Sequence, residues 1–262
     1  MTALVTVPCW IDLNAGDTAA EQAFYSGLFG WNYPEQHPDA GGWRPAMVGD
    51  AMAGGMSPRP EQMPMSFWTV FFATDDIEAA IARAVELGAT VMMPPLPVVI
   101  DGVLMTTIAI VVDPTGAAFG LAQQAANPGM THRGHGSAAW FELASHDVAA
   151  ARTFYAELLG ATVHPVSEVA PMDYATLRTG DGDFAGTMPV FPGTPEGVPS
   201  AWSVYFNVDD TDAAIATAVE GGASVLMGPE DMHTGRIAYL FDPEGAMFGL
   251  LQPASADWTF RP

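Results

Sequence analysis

The feature that most constrains this chain is that it is written twice. PCWIDLNAGDTAAEQAFYSGLFGW near the start returns as AAWFELASHDVAAARTFYAELLGA. Trp10 aligns with Trp140, Asp12 with Glu142, Phe24-Tyr25 with Phe154-Tyr155 and Gly30 with Gly160, all at an offset of 130. FWTVFFATDDIEAAIARAVELGATV returns as AWSVYFNVDDTDAAIATAVEGGASV at 134, and VDPTGAAFGLAQ as FDPEGAMFGLLQ at 129. Three collinear blocks mark a duplicated unit, with insertions and deletions left to the loops. The 262 residues divide into two domains of ordinary size, 1–125 and 137–262, joined by a polar, glycine-rich linker at 126–136.

A finer order appears inside each half. Residues 8–14 read as an apolar strand, followed by an amphipathic helix over 18–29 with Ala20, Phe24 and Leu28 on one face. Asp17 is placed to cap this helix and Gly30 to end it. Short β segments are expected at 43–48 and 51–56, and a longer strand at 67–73. A second helix should start at Asp76, bury Ile77, Ile81 and Val85, and stop at Gly88. Two more strands flank the turn Asp113-Pro114-Thr115-Gly116, where Pro and Gly hold their favoured turn positions. Each half therefore alternates strand, helix and strands, twice.

Thirty acids against eight bases give a net charge of −22, which repels nucleic acid and anionic membranes. All eight bases are Arg, so lysine Schiff-base chemistry and a phosphate-loop lysine are excluded. Cys9 is the single cysteine and, by strand alternation, faces the helix side. No basic leader or uninterrupted apolar span is present; the expectation is a cytoplasmic protein, monomeric or homodimeric, that takes a small-molecule ligand.

The strand–Asp–helix pattern with Phe24-Tyr25…Leu28-Phe29-Gly30 and the closing Asp113-Pro114…Gly116 resembles the vicinal oxygen chelate superfamily, the glyoxalase, bleomycin-resistance and dioxygenase group. "FGW" after the first helix and "FGL" in the last strand resemble its two-domain actinobacterial branch. The resemblance implies an α+β fold of two tandem glyoxalase-like domains, each of paired βαβββ modules forming a cup-shaped sheet. In metal-binding members a first-strand His or Gln and a last-strand Glu hold the ion. The matching positions here are Trp10 and Trp140, Thr69 and Ser203, and Gly120 and Gly249. Indole is no metal ligand and glycine has no side chain, so no metal and no other cofactor is expected.

By alternation Trp10, Asp12 and Asn14 share the face that lines the cup, as do Trp140 and Glu142. A carboxyl group beside indole in an apolar cup has its neutral form favoured, which suits a general acid or base. Asp12 and Glu142 are therefore candidate catalytic residues, or else structural hydrogen-bond acceptors. Trp10, Trp140, Thr69, Ser203, Phe71 and Tyr205 are candidate ligand-lining residues, and Gly120 and Gly249 leave space for a ligand. His233, close to Asp231, is the third catalytic candidate through a His–Asp relay. The proline-rich segments 57–65 and 191–200 are expected at the rims. Three functions compete: a metal-free enzyme moving protons on an aromatic metabolite in bacterial antibiotic metabolism (isomerase, cyclase, lyase or cofactor-free hydroxylase); a drug-sequestering protein of the bleomycin-resistance kind; and a metal enzyme with non-standard ligands.

Overall fold

The computed structural model describes residues 5–124, 129–167, 171–180, 182–195 and 197–255. The first half contains β1 (Val5–Ala15), α1 (Thr18–Phe29), β2 (Arg44–Val48), β3 (Ala51–Pro58), β4 (Phe67–Thr74), α2 (Ile77–Glu86), β5 (Thr90–Ile100), β6 (Val103–Val112) and β7 (Ala118–Gln124). The second half repeats the scheme as β8 (Ala138–Ser145), α3 (Val148–Leu159), β9 (Thr162–Pro165), β10 (Ala175–Thr179), β11 (Gly182–Pro189), β12 (Ala201–Asn207), α4 (Thr211–Glu220), β13 (Ser224–Met232), β14 (Gly235–Phe241) and β15 (Met247–Pro253). The strands form one seven-stranded sheet, β2-β3-β1-β4-β7-β6-β5, and one eight-stranded sheet, β13-β14-β15-β12-β8-β11-β10-β9. This is the tandem α+β architecture that the family resemblance implied.

Local chemistry sets the helix ends. Asp17, Asp76, Asp147 and Asp210 each cap a helix, accepting backbone N–H groups of its first turn. Such a cap contributes about 1 kcal/mol. Gly30 and Gly160 close α1 and α3 with φ of 67° and 62°, in the left-handed region that glycine enters without a steric penalty. In the 113–116 turn, Gly116 N donates to Asp113 O at 3.0 Å.

The buried faces differ from the sequence pattern at three places. Ala20 is exposed, and Glu21 occupies the buried first-turn position of α1 beside Phe24, Tyr25, Leu28 and Phe29. Val85 is also exposed, because α2 rests on its small residues Ala80 and Ala84 with Ile77 and Ile81. Cys9 is half-buried against the cup-side cluster of Trp10, Phe71 and Ala122. A bulge between Pro8 and Trp10 breaks the alternation that would have turned it toward the helices. The proline-bearing β5 is an edge strand, and its Pro94 and Pro95 fall in the register irregularity between Met93 and Leu96.

One hydrophobic core runs through both halves. Phe29 of α1 packs on Phe206 of β12 at 4.8 Å, and Tyr155 of α3 lies 5.5 Å from Phe119 of β7. Phe72 of β4 meets Trp202 of β12 edge-on at 5.3 Å. Tyr25 Oη donates to Asp242 across the halves at 2.9 Å. The helices thus lie between the sheets, and the opposite face of each sheet carries its own smaller cluster. Trp31, the Trp of the "FGW" motif, is buried in the shared core, and its Nε1 donates to Gly136 O at 2.8 Å. No helix among the described residues is long and apolar enough to cross a membrane.

Candidate functional site

The register of β1 against β4 pairs Asp12 with Thr69 and Trp10 with Phe71, and β4 against β7 pairs Phe71 with Gly120. Five candidate residues of the first half therefore meet on one patch of one sheet. The second half repeats this: Glu142 faces Ser203, Trp140 faces Tyr205, and Tyr205 faces Gly249. His233 is not brought to either patch. It is exposed in the turn between β13 and β14, six residues before Tyr239, the β14 residue that reaches Glu142. That separation is roughly 20 Å of strand at about 3.3 Å per residue. Its expected relay partner Asp231 instead accepts from Arg236 at 2.8 Å.

The two glycines do not leave open space. A Cβ on Gly120 would run into the ring of Phe71, and one on Gly249 into the ring of Tyr205. Glycine is needed there because an aromatic ring from the adjoining strand lies flat over its backbone, filling the volume that the sequence seemed to leave empty.

Two residues that sequence reasoning missed complete the Asp12 site. Trp43 Nε1 donates to Asp12 Oδ1 at 2.9 Å, and Ser57 Oγ donates to Oδ2 at 2.5 Å. Both come from the β2–β3 hairpin region, which joins β1 through the parallel pairing of Asp12 with Gly55. Gly55 provides the clearance, since a Cβ there would strike both Asp12 Oδ1 and Trp43 Nε1. The signal was available in the repeat: Trp43 and Gly55 align with Tyr174 and Gly186 at an offset of 131. Burial dominates the electrostatics and pushes the Asp12 carboxyl up to about 7, against the opposing hydrogen bonds from Ser57, Trp43 and Trp10.

Glu142 sits in a different shell. Tyr239 donates a very short hydrogen bond to Oε1, and Tyr205 Oη reaches the same oxygen at 3.2 Å. Tyr174 also hydrogen-bonds to the carboxylate and accepts from Trp140 Nε1 at 3.1 Å. Burial raises the Glu142 carboxyl while the three phenols lower it. The first half has Trp43, Phe71 and Ile110 where the second has Tyr174, Tyr205 and Tyr239.

The cup walls differ too. Leu96 pairs with Ile108 in the first half, and Glu230 pairs with Ile237 at the equivalent place in the second. Ile108 packs on the Trp10 cluster, so Leu96, half exposed, extends an apolar wall beside it. Phe191, the first residue of the proline-rich segment 191–200, packs edge-on to Tyr239 at 5.0 Å.

A glyoxalase-like domain model matches residues 10–122, and the glyoxalase/bleomycin resistance protein/dioxygenase superfamily model matches residues 137–250. The chain belongs to this superfamily. Over 256 residues it is 38% identical to the putative glyoxylase CFP32 of Mycobacterium tuberculosis, covering 94% of this chain and 95% of that one. It is 35% identical to the anthracycline biosynthesis protein DauV of a Streptomyces species, covering 95% and 96%. Among solved structures, the Mn(II)-bound glyoxalase of Novosphingobium aromaticivorans matches with a TM-score of 0.65 at 17% identity, covering 99% of this chain and 86% of that one. The 2,3-dioxygenase LapB of a Pseudomonas species matches with 0.65 at 16%, covering 100% and 96%. At such identities the likeness is one of fold.

The superfamily's metal positions in this chain carry indole, hydroxyl and no side chain at all. The nearest carboxylates, Asp12 and Glu142, are already held by indole, hydroxyl and phenol donors. One carboxylate among alcohols and indoles does not fit the imidazole-rich donor set that zinc, iron or nickel takes. Among the described residues, the group of His, Asp and Glu atoms close enough to share an ion is His37, Asp39 and Asp101, at the surface.

Proposed function

We propose that this chain is a metal-independent member of the superfamily that moves a proton on an aromatic small metabolite of bacterial secondary metabolism, with Asp12 as the base. The observation that carries this reading is the Asp12 carboxyl in the first cup, buried beside Trp10 and Trp43 and pushed up to about 7. A base with that value is half ionised at neutral pH, which maximises the product of availability and basicity. Ser57, Trp43 and Trp10 hydrogen-bond to the carboxylate, and a ligand takes its place there by replacing one of these uncharged donors. Trp10, Phe71 and the Leu96–Ile108 wall supply apolar surface against which a planar ring system stacks. The similarity to anthracycline biosynthesis proteins supports an aromatic ligand of that class.

In this reading Asp12 takes a proton from a carbon or hydroxyl of the bound ligand and returns it at a different atom. The net reaction is an isomerisation; nothing is oxidised or reduced. The aromatic surround keeps water from competing for the proton. The net charge of −22 favours a second reading, sequestration of a cationic drug. Turnover of an anthracycline-type aglycone, followed by product analysis, separates the two. Asp12→Asn abolishes turnover and retains binding if Asp12 is the base; sequestration without turnover in the parent protein overturns the enzyme reading.

A further inference from the structure

Trp43 holds Asp12 Oδ1 at 2.9 Å and Ser57 holds Oδ2 at 2.5 Å, so a ligand reaches this carboxylate by displacing a donor. Its indole comes from the segment between α1 and β2, directly after Gly41 and Gly42, both in the left-handed region with φ of 60° and 98°. Trp43 is half-buried, and its own backbone N–H bonds only three residues back, to Ala40 O at 3.0 Å. The equivalent donor in the second half is pinned on several sides. Asp173, adjacent to Tyr174, is held by Arg152 through its side chain at 2.8 Å and its carbonyl at 2.9 Å. The Tyr174 carbonyl accepts from Val166 N, and the Tyr174 hydroxyl from Trp140. Glycine clearance, aromatic donor and buried acid recur in both halves at matched positions, so the arrangement is built into the repeat. Only the first copy has the two-glycine approach and lacks the arginine clamp.

We propose that Trp43 is the positioning residue of the first cup and its doorway: its indole N–H holds Asp12 Oδ1 in the resting protein and swings out on the Gly41-Gly42 pair to surrender that oxygen to a ligand. This rests on the reading of Asp12 as the base. The other groups around the carboxylate are uncharged: Ser57 on β3, Thr69 opposite on β4, and Trp10 and Asn14 on its own strand. The state of Asp12 therefore follows its hydrogen bonds and its burial rather than a neighbouring charge. Withdrawing the indole N–H removes a bond that favours the carboxylate, so the group becomes a stronger base as the ligand takes its place.

Three measurements on the full-length protein test this without a substrate. The Asp12 carboxyl is titrated by 13C NMR, its signal assigned by its loss in Asp12→Asn. Trp43→Phe keeps the ring and removes the donor; its Asp12 midpoint should rise from near 7 by about one unit. In the parent protein the Trp43 indole 15N–1H signal should titrate with the same midpoint as Asp12. Its exchange with D2O should run at least tenfold faster than that of Trp31, whose indole N–H is buried on Gly136 O. An unchanged carboxyl midpoint in Trp43→Phe overturns the positioning role. If that variant does not fold, an indole signal in the parent that ignores the Asp12 titration overturns it equally. Exchange at or below the Trp31 rate overturns the doorway. A shifted midpoint in a protein that turns over no aromatic substrate leaves Trp43 as the tuning residue and removes the enzymatic reading instead.

Discussion

The two cups share a backbone plan and differ in what surrounds their acids. Asp12 has two indoles and one serine hydroxyl; Glu142 has three phenols, one of them shared with Trp140. Ser57 in the first half aligns with the buried Met188 in the second, and Leu96 aligns with Glu230. Both acids accept three donors, and what separates them is the kind of donor and the wall beside them: Leu96 with Ile108 in the first half, Glu230 with Ile237 in the second.

The sharpest way to break this comparison is kinetic. Asp12→Asn should lower turnover of an aromatic substrate by at least about 100-fold, the usual contribution of a positioned base, and Glu142→Gln by no more than a few-fold. Equal losses from both variants, measured side by side, would show that the cups act alike.

The next largest effect is on stability against pH. The Asp12 carboxyl is raised in the folded protein, so its stabilisation is fully present below the unfolded value near 4 and is lost as pH rises through about 7. Asp12→Asn should flatten that part of the curve, by roughly 2–4 kcal/mol in denaturant unfolding between pH 4 and 8. Glu21 behaves in the same sense at higher pH. Burial and the nearby Asp242 and Glu244 push it up to about 9, and the stability from its protonation is lost toward that pH. Glu21→Gln should therefore unfold later than the parent at pH 9 and match it near pH 4. Its counterpart Ala151 has no carboxyl, so this loss belongs to one side of the core.

Smaller still is the effect of filling the strand glycines. Gly120→Leu and Gly249→Leu press on Phe71 and Tyr205 respectively, and each should lower stability by about 1–3 kcal/mol. If the rings yield differently, the Gly249 variant should lose more, because Tyr205 is tied to Glu142 and Phe71 carries no hydroxyl. The smallest effect concerns the arms. His37 Nε2 meets Asp101 at 3.1 Å, joining the β5–β6 tip to the segment before Trp43. In the second half Arg236 ties its hairpin back to Asp212 of α4 at 2.7 Å. Both contacts are exposed, so His37→Ala should cost less than about 1 kcal/mol in thermal unfolding.

The sequence by itself determined the duplication, the order of strands and helices, the cap at Asp17, the helix start at Asp76 and the placing of Trp10, Asp12, Trp140 and Glu142 on one face of their strands. These follow from local rules: residue periodicity, capping chemistry and turn residues act within a few positions of one another. Only the tertiary structure decided the rest. Cys9 changed face because of a bulge, and Glu21 is buried because α1 packs against the other half. Gly120 and Gly249 lie under rings supplied by a neighbouring strand. Trp43 and Ser57 reach Asp12 from 31 and 45 residues away, through a parallel pairing of β1 with β3 that no local pattern encodes. Which donors surround each acid depends on side chains converging from several segments, and convergence is a property of the folded sheet.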